Sequence, residues 1–443
     1  MNNNTRIIKT LIVSVILTAG TLTAYGQPAG NLAKADSLSL KQLISEVIST
    51  HPSVKAAEEA LSNADARIGL ARTGYYPSVD ASASYSNIGP VTKITIPSMG
   101  TFQLFPENNY SAAVNLRQVV YDFGRTKTNI AIETESKKIG ELTLDQVRQK
   151  MSIATITSFY TLAFLQHAIK ITDEQLSTLE HHLKYVETMK ATGSATEYQV
   201  LSTRVKISAA ESQKSDLQAA LKIQQAYICA LTGNDSRIPV VKEELNVIQP
   251  DIQADSLLSY ALKNRYEVSI NKEKSMVADL RYQMTRTLNK PIINFQATGG
   301  AKNGYMPDLG KIKGNYALGI GIAVPIFDGY KTKYNLLQTQ SAINSLNYET
   351  EGTKRSISTE VKEAEAYLMS AREKEDMTAL QLEQALKAYS LAETSFRSGV
   401  ITNLELLDAN TAVSASRLAL LKAQIDYNAS IYRLKAALGE KLW

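Results

Sequence analysis

The sequence predicts an α+β membrane protein in which very long coiled-coil helices accompany a small number of β-strands. Three observations predict this class. One structural unit occurs twice along the chain, each copy contains a long helical span without proline, and each contains two short segments in which apolar and polar residues alternate. Apolar residues that recur every three or four positions indicate helices, whereas a period of two indicates strands.

The composition favours helices and argues against several functional classes. The 443 residues are 44% hydrophobic but only 7% aromatic, a mix more typical of coiled coils than of a compact enzyme core. A formal charge of +5 without clustered basic residues argues against nucleic-acid binding. Cys229 is the single cysteine, so we expect no internal disulfide and interpret it as a small buried helix residue.

Residues 1–26 are predicted to be a signal peptide. Arg6 and Lys9 supply a positive start, residues 7–22 form a short apolar run, and small residues precede Gln27. No cysteine follows the expected cleavage site, which argues against a lipidated export signal. A retained membrane anchor is the alternative, although the run is shorter than the ~20 apolar residues of a spanning helix. We expect the mature protein to be exported and to lack a transmembrane helix.

The internal repeat is visible at two offsets. The segment Val119–Lys127, "VVYDFGRTK", resembles Pro325–Lys333, "PIFDGYKTK", and Leu43–Val54 resembles Leu257–Val268. The offset changes within the loop between the two predicted strands of the first copy, so a unit was doubled with one change of loop length. The predicted organisation is a signal peptide at 1–26, a first repeat at 27–233, an equatorial linker at 234–255, a second repeat at 256–439 and a tail at 440–443.

Four segments alternate between apolar and polar residues. In the first, Val79, Ala81 and Ala83 are apolar and the residues between them are polar. The length of ~10 residues suits a tilted strand that crosses a bilayer. A soluble sheet packed on helices is the alternative interpretation. The predicted strands lie at about 78–87, 109–120, 291–299 and 315–325.

The strand number has a consequence for assembly. Four strands cannot close a barrel, and open sheet edges are not tolerated in lipid, so several chains must contribute strands to one barrel. Two chains would give eight strands, and a barrel of that size is filled by its own side chains. Three chains would give twelve strands and a water-filled lumen. The sequence therefore predicts a trimer with a 12-stranded β-barrel.

Helices of unusual length follow each strand pair. The spans Arg125–Thr192 and Lys331–Ser398 contain no proline, and each would be roughly 100 Å long as a helix. Single helices of about 35 residues are predicted at Leu38–Arg72 and Ser256–Leu288. Narrow apolar seams along otherwise polar helices predict antiparallel coiled coils that form a wall with water on both sides. One such seam contains Leu176, Leu179, Leu183 and Val186.

Two motifs within this duplicated plan carry a family resemblance. The letters "FDG" follow the second strand pair, and "SGVITNLELLDANTAVSASR" follows the second long helix. With the helix–strand–strand–helix repeat, they make the chain similar to the TolC-like outer-membrane efflux proteins of Gram-negative bacteria. The resemblance covers essentially the whole mature chain, and the double repeat makes it specific.

The resemblance implies a fold, a location and a set of partners. It implies a homotrimer whose barrel lies in outer-membrane lipid and whose helical tunnel extends into the periplasm. A periplasmic adaptor protein and an inner-membrane pump would dock at the far end of the tunnel. The chain would be a passive duct of a tripartite export system and would need no enzymatic activity, cofactor or metal.

Site residues are carried over from the family at the second hairpin. The family form G-T-R-T-I-V-D-V-L-D-A corresponds here to Gly399–Ala409. Glu405 and Asp408 fall where the family places two acids at the narrow tunnel entrance. Threefold symmetry would turn each acid into a ring, and acidic rings favour cations. A merely solvated helix face is the alternative interpretation of both residues.

The gate positions depart from the family pattern. Ile401 stands where the family has its gating arginine, and Gln199 stands at the position of the acidic partner. The ionic latch of the family is therefore absent. If the tip closes, we expect closure to depend on packing around Ile401 or on hydrogen bonds from Gln199.

The two hairpin tips are the predicted docking sites for the adaptor. A glycine in each is expected to end the long helix, and a threonine is placed to cap the returning helix. Two unlike hairpins per chain would give six quasi-equivalent tips in a trimer. The predicted docking residues are Gly193, Ser194, Ala195 and Thr196 in the first hairpin and Gly399, Val400, Ile401 and Thr402 in the second.

Two rival functional classes are considered. A non-conducting trimeric surface stalk, or another structural coiled-coil protein, would share the helices and the barrel but would not need the twofold repeat. A periplasmic enzyme would need converging catalytic residues, and the sequence offers no such set. The pair His181 and His182 has no acids at metal-ligand spacing, so metal binding is not expected. Drug efflux, metal efflux and protein secretion share this component, and the sequence does not choose among them.

Overall fold

The structure, a computed structural model, describes residues 34–235, 237–241 and 257–443. The predicted signal peptide, and positions 236 and 242–255 of the predicted linker, lie outside the described residues. The helices are α1 (Leu40–Thr50), α2 (Pro52–Arg72), α3 (Arg125–Ala191), α4 (Glu197–Thr232), α5 (Leu257–Asn264), α6 (Tyr266–Arg286), α7 (Lys331–Arg397) and α8 (Asn403–Ala437). The strands are β1 (Lys34–Leu38), β2 (Ser78–Asn87), β3 (Lys93–Ile96), β4 (Gly100–Gln103), β5 (Asn108–Tyr121), β6 (Arg237–Val241), β7 (Ile292–Lys302) and β8 (Lys313–Ala323).

The two long helices confirm the predicted length. α3 and α7 contain 67 residues each, which corresponds to roughly 100 Å. The aspartate of the repeated motif starts each of them. Asp122 Oδ2 accepts a hydrogen bond from Thr126 N at 2.7 Å, and Asp328 Oδ2 accepts one from Thr332 N at 2.9 Å. The "YDFG" and "FDG" motifs therefore mark the starts of the two helices. The aspartate of each motif accepts a hydrogen bond from a first-turn backbone N–H that has no partner within the helix.

The prediction of a single first helix in each repeat was wrong. The helix of the first repeat breaks at His51, which is extended with ψ of 130°, because Pro52 disfavours a helical residue before it. The second repeat breaks at Arg265, with ψ of 131°, although no proline follows. The Arg265 guanidinium instead pairs with Glu267 at 2.8 Å and with Glu360 at 2.7 Å. The same bend is thus supported by proline in one copy and accompanied by ion pairs in the other.

Four strands form one antiparallel sheet in the order β2-β5-β7-β8. The pairing register places Val79, Leu116, Ala297 and Leu318 in one row across the sheet. Directly opposite residues point to the same face, so the predicted apolar face is continuous across all four strands. On the other face, Asn115 Nδ2 donates to Asp80 Oδ2 at 3.0 Å.

The second strand pair differs in extent from the prediction. The strand expected at 291–299 runs as Ile292–Lys302, because the residues after 299 still pair with β5 and β8. The strand expected at 315–325 runs as Lys313–Ala323. It ends before Pro325, which lacks the N–H group that a ladder requires. β2 coincides with its predicted range, and β5 extends the predicted 109–120 by one residue at each end.

The sheet has two free edges in the described chain. β2 and β8 each pair with one neighbour only, and β8 exposes its apolar side chains. Among the described residues, no helix combines the length and the apolar character that crossing a bilayer requires.

The main apolar core lies where α1, α3, α4 and α8 meet. Leu43, Leu162 and Ile228 are fully buried there. The C-terminal Trp443 packs against this core, and its ring stacks on that of Tyr266 with centroids 6.3 Å apart. The parallel strands β1 and β6 form a separate two-stranded sheet. The predicted tail at 440–443 is thus part of the packing around the core.

Candidate functional site

Both hairpin tips have the same backbone geometry. Gly193 and Gly399 have φ values of 77° and 71°, the left-handed region in which other residues are strained. After each glycine the next N–H reaches back to the helix. Ser194 N donates to Met189 O at 2.8 Å, and Val400 N donates to Ser395 O at 2.9 Å. The glycines therefore end α3 and α7 as the sequence predicted.

The returning helices α4 and α8 start with matching capping boxes. Thr196 Oγ1 accepts from Gln199 N at 3.4 Å, and Gln199 Oε1 accepts from Thr196 N at 3.0 Å. In the second hairpin, Thr402 Oγ1 accepts from Glu405 N at 3.3 Å, and Glu405 Oε2 accepts from Thr402 N at 2.6 Å. The predicted caps are confirmed. The Gln199 side chain is consequently used within its own hairpin.

The predicted docking residues fall into two groups. Six of them are exposed at the surface of the tip, and two are half-buried. The half-buried pair, Ala195 and Ile401, packs against an apolar tip cluster formed by Val186, Val200, Phe396 and Leu406. The exposed group is Gly193, Ser194, Thr196, Gly399, Val400 and Thr402.

The tip cluster contains one buried residue from each of the four helices. Val186 comes from α3, Val200 from α4, Phe396 from α7 and Leu406 from α8. Apolar surface buried between two hairpins holds them together. The expectation of packing around Ile401 thus has a structural counterpart, since Ile401 lies against this cluster.

Glu405 and Asp408 are both exposed on α8 but have different surroundings. Hydrogen bonds from the backbone N–H and then the hydroxyl of Thr402 hold the pKa of Glu405 below its ordinary value. No ion pair of Glu405 is found within the described ranges. Asp408 Oδ1 lies 3.0 Å from Lys206 Nζ on α4. The charge of Asp408 is therefore partly compensated, whereas that of Glu405 is not.

Sequence reasoning missed a buried amide that ties the two hairpins together. Asn403 is only 2% exposed. Its Nδ2 donates to Gln199 O, Ser202 Oγ and Thr203 Oγ1, each at 3.2 Å. Its Oδ1 lies 2.6 Å from Nε2 of His182. The amide thus contacts both helices of the first hairpin.

These hydrogen bonds of Asn403, which we call the Asn403 hub, include one of the two predicted gate positions. Gln199 does bond to the second hairpin, but through its backbone carbonyl rather than its side chain. The sequence did contain a signal. At the repeat offset the counterpart of Asn403 is Glu197, an exposed residue whose carboxylate pairs with Lys190. One copy has a neutral amide where the other has a charged residue. This difference indicates that the position has different surroundings in the two hairpins.

Further contacts join the two hairpins at positions farther from the tip than Asn403. Leu407 of α8 is buried against Leu176 and Leu179 of α3 and Ala210 of α4. Further along, Arg417 Nη1 lies 2.6 Å from Glu174 Oε2. The two hairpins are therefore joined by apolar and polar contacts in succession along the bundle.

Two other residues singled out in the sequence, Cys229 and His182, take part in packing and hydrogen bonding. Cys229 is buried on α4. His182 serves the Asn403 hub, and its ring lies edge-on to Phe396 with centroids 5.4 Å apart. In the part of the chain that the structure describes, no group of three or more His, Cys, Asp or Glu residues is arranged to hold a metal ion.

Comparison with known proteins assigns the family. The family model for outer membrane efflux proteins matches residues 43–234 and 257–440, which correspond to the two repeats. The chain belongs to this family. The family consists of channel proteins rather than enzymes.

Individual family relatives are distant in sequence but match over most of their length. The toluene efflux pump outer membrane protein TtgC of Pseudomonas putida is 25% identical over 417 residues, covering 90% of this chain and 82% of the relative. A crystal structure of CusC superimposes with a TM-score of 0.79 at 20% identity, covering 94% of this chain and 96% of CusC. VceC of Vibrio cholerae gives a TM-score of 0.75 at 18% identity, covering 91% and 97%.

The family assigns a location to each part of the fold. The chain is the outer-membrane channel component of an efflux system. Its four-stranded sheet belongs to the outer-membrane barrel, and its long helices form the tunnel in the periplasm. The hairpin tips, at the ends of α3 and α7 distant from the sheet, accordingly lie in the periplasm.

Proposed function

We propose that the protein acts as a passive homotrimeric duct that receives substrates from an inner-membrane pump through a periplasmic adaptor. The main support for a trimer is the four-stranded sheet, whose edge strands β2 and β8 are each unpaired on one side. Lipid provides no partners for open edges, so β2 of one chain pairs with β8 of the next. Three chains then supply twelve strands, and the apolar face that includes Leu318 meets outer-membrane lipid.

The hairpin tips are the proposed docking sites for the adaptor. Six residues are exposed there in two similar but unlike hairpins. Val400, at 76% exposure, is an apolar side chain presented to solvent beside Gly399. Small residues allow a partner's backbone to approach closely, and the exposed apolar side chain beside them offers surface to bury. Energy for transport comes from the pump in this arrangement.

Docking is tested with Gly399→Asp, which places a charge at the tip. Aspartate tolerates the left-handed conformation better than most residues, so we expect the trimer to form but to lose capture of its purified cognate adaptor. The matched control is Gly233→Asp, at the opposite end of α4. Gly233 has φ of 72° and, like Gly399, has open space where a Cβ would stand. Adaptor capture that survives Gly399→Asp would contradict the assignment.

We further propose that the tip is held closed by the Asn403 hub and the tip cluster rather than by an ionic latch. The latch positions are Ile401 and Gln199, neither of which is charged. Asn403 instead bonds to α3 and α4 from within a buried site. Movement of the second hairpin away from the first would break these bonds and expose the apolar cluster.

Glu405 is the proposed source of cation preference at the entrance. Its carboxylate is exposed and held in the charged form by Thr402. Asp408 contributes less in this proposal because Lys206 lies beside it. Threefold symmetry repeats each group around the axis, and a ring of carboxylates favours cations.

A further inference from the structure

The loop between β2 and β5 contains a two-stranded ribbon that the sequence did not predict. This ribbon, residues 93–103, pairs Ile94 with Phe102 and Ile96 with Gly100. Directly opposite residues share a face, so one face of the ribbon is apolar. The other face is polar, with the hydroxyls of Thr95 and Thr101 at 2.8 Å from each other.

The ribbon stands beyond the rest of the sheet. β2 and β5 remain paired up to Asn87 and Asn108, and Ile88 N then donates to Glu107 O at 2.8 Å. The β7–β8 ladder ends at the pair Lys302 and Lys313, level with Ser111 of β5. Its turn reaches further, because Asn303 bonds to Tyr110 and Asn108 and Gly304 lies against Pro106. Residues 104–107, which are not in a strand, then connect β5 to the ribbon.

The ribbon lies outside the expected lipid zone. Tyr85 and Tyr110 form a ring pair near the outer end of β2 and β5, with centroids 5.2 Å apart. The hydroxyl of Tyr85 donates to Asn108 Oδ1 at 3.0 Å. Tyrosines of this kind mark the boundary between membrane and water. The apolar face beyond them therefore faces an aqueous space unless protein covers it.

Two apolar sets at this end remain uncovered within one chain. On the ribbon, Ile94 and Ile96 are 45% and 42% exposed. On the turn between β7 and β8, Met306 and Ile312 are 56% and 58% exposed. The link between the ribbon and β5 contacts this turn where Gly304 lies against the buried Pro106, but Met306 and Ile312 remain exposed beyond that contact. Both apolar sets are therefore available to another molecule.

The geometry points to a second copy of this chain as the partner. The ribbon continues from β2, which is one free edge of the sheet, and Ile312 directly precedes β8, which is the other. In the proposed trimer these two edges meet at each subunit seam. We propose that the apolar face of the ribbon packs on Met306 and Ile312 of the adjoining subunit and clasps the seam at the outer mouth of the barrel.

Cross-linking between single-cysteine chains tests this clasp. Ile94→Cys and Ile312→Cys chains, each also carrying Cys229→Ser, are co-expressed so that only links between subunits join the two sites. Because each chain then has one thiol, a short bismaleimide is expected to yield covalent dimers on a denaturing gel. The matched control is Thr95→Cys with Ile312→Cys. Thr95 is one residue away on the polar face, so it should cross-link weakly.

The outcomes separate the clasp from the trimer on which it rests. The native mass of the untreated protein reports the trimer independently. A trimer in which Ile94→Cys gives no link, or no more than Thr95→Cys, overturns the clasp and leaves the duct in place. Quenching by brominated lipid of a fluorophore attached to the Ile94→Cys chain would also overturn it, because the apolar face would then lie in the membrane. Loss of the trimer itself would count against the proposed function.

Discussion

Replacing Asn403 by leucine is expected to open the periplasmic tip. Leucine is similar in size but leaves His182 Nε2 and the Gln199 carbonyl without their partner. A buried polar group left unpaired costs about 1–3 kcal/mol. A loss of about 2 kcal/mol from the closed arrangement alone would shift the ratio of closed to open tips about 30-fold. The measurement is single-channel conductance, with uptake of a large hydrophilic dye by expressing cells.

Asn410→Leu is the matched control for this change. Asn410 is also a buried asparagine of α8, but its Oδ1 has no hydrogen-bond partner and its amide bonds to Tyr389 of α7, within its own hairpin. That hydrogen bond does not join the two hairpins. Removing that amide should leave the conductance unchanged. Unaltered conductance and dye uptake in correctly assembled Asn403→Leu trimers would show that the hub does not hold the tip closed.

Neutralising Glu405 is expected to weaken cation selectivity more than neutralising Asp408. Glu405→Gln keeps the capping geometry, because an amide oxygen can accept from Thr402 N as Gln199 does in the first hairpin. Only the charge is lost, so the cation-to-anion permeability ratio should fall severalfold. Asp408→Asn removes a charge that Lys206 already compensates. The measurement is the reversal potential under a salt gradient.

Two controls sharpen the selectivity experiment. Lys206→Met frees the charge of Asp408 and should raise the permeability ratio for cations. Because the pKa of Glu405 lies below its ordinary value of 4.5, selectivity should persist at a mildly acidic pH. A ratio unaffected by Glu405→Gln would place this carboxylate on a solvated face away from the conducting path.

Much of the fold could be predicted because it depends on local pattern. The absence of proline from α3 and α7, and the period of two in the four strands of the main sheet, are properties of neighbouring residues. The bend at Arg265 could not be predicted in this way. No proline marks it, and the pairing residue Glu360 lies far away in the sequence. The ribbon at 93–103 gave too weak a pattern to predict, because its strands are only four residues long.

The same distinction between local and distant contacts applies to the candidate site. The glycines and the capping threonines act through residues two to five positions away, and their roles were predicted. The partners of Asn403 lie in the other hairpin, about one repeat earlier in the sequence. Periodicity and capping rules contain no information about such contacts. For the same reason, the compensation of Asp408 by Lys206 became visible only in the structure.

In the proposed function, three chains form a conducting duct. The most direct measurement is single-channel current from the purified protein, shown by its native mass to be a trimer, in a planar bilayer. We predict discrete current steps, and we expect these steps to be larger or to last longer in Asn403→Leu. The duct would be contradicted if correctly assembled trimers conducted no current in both the unmodified and the Asn403→Leu form. That result would favour a non-conducting stalk.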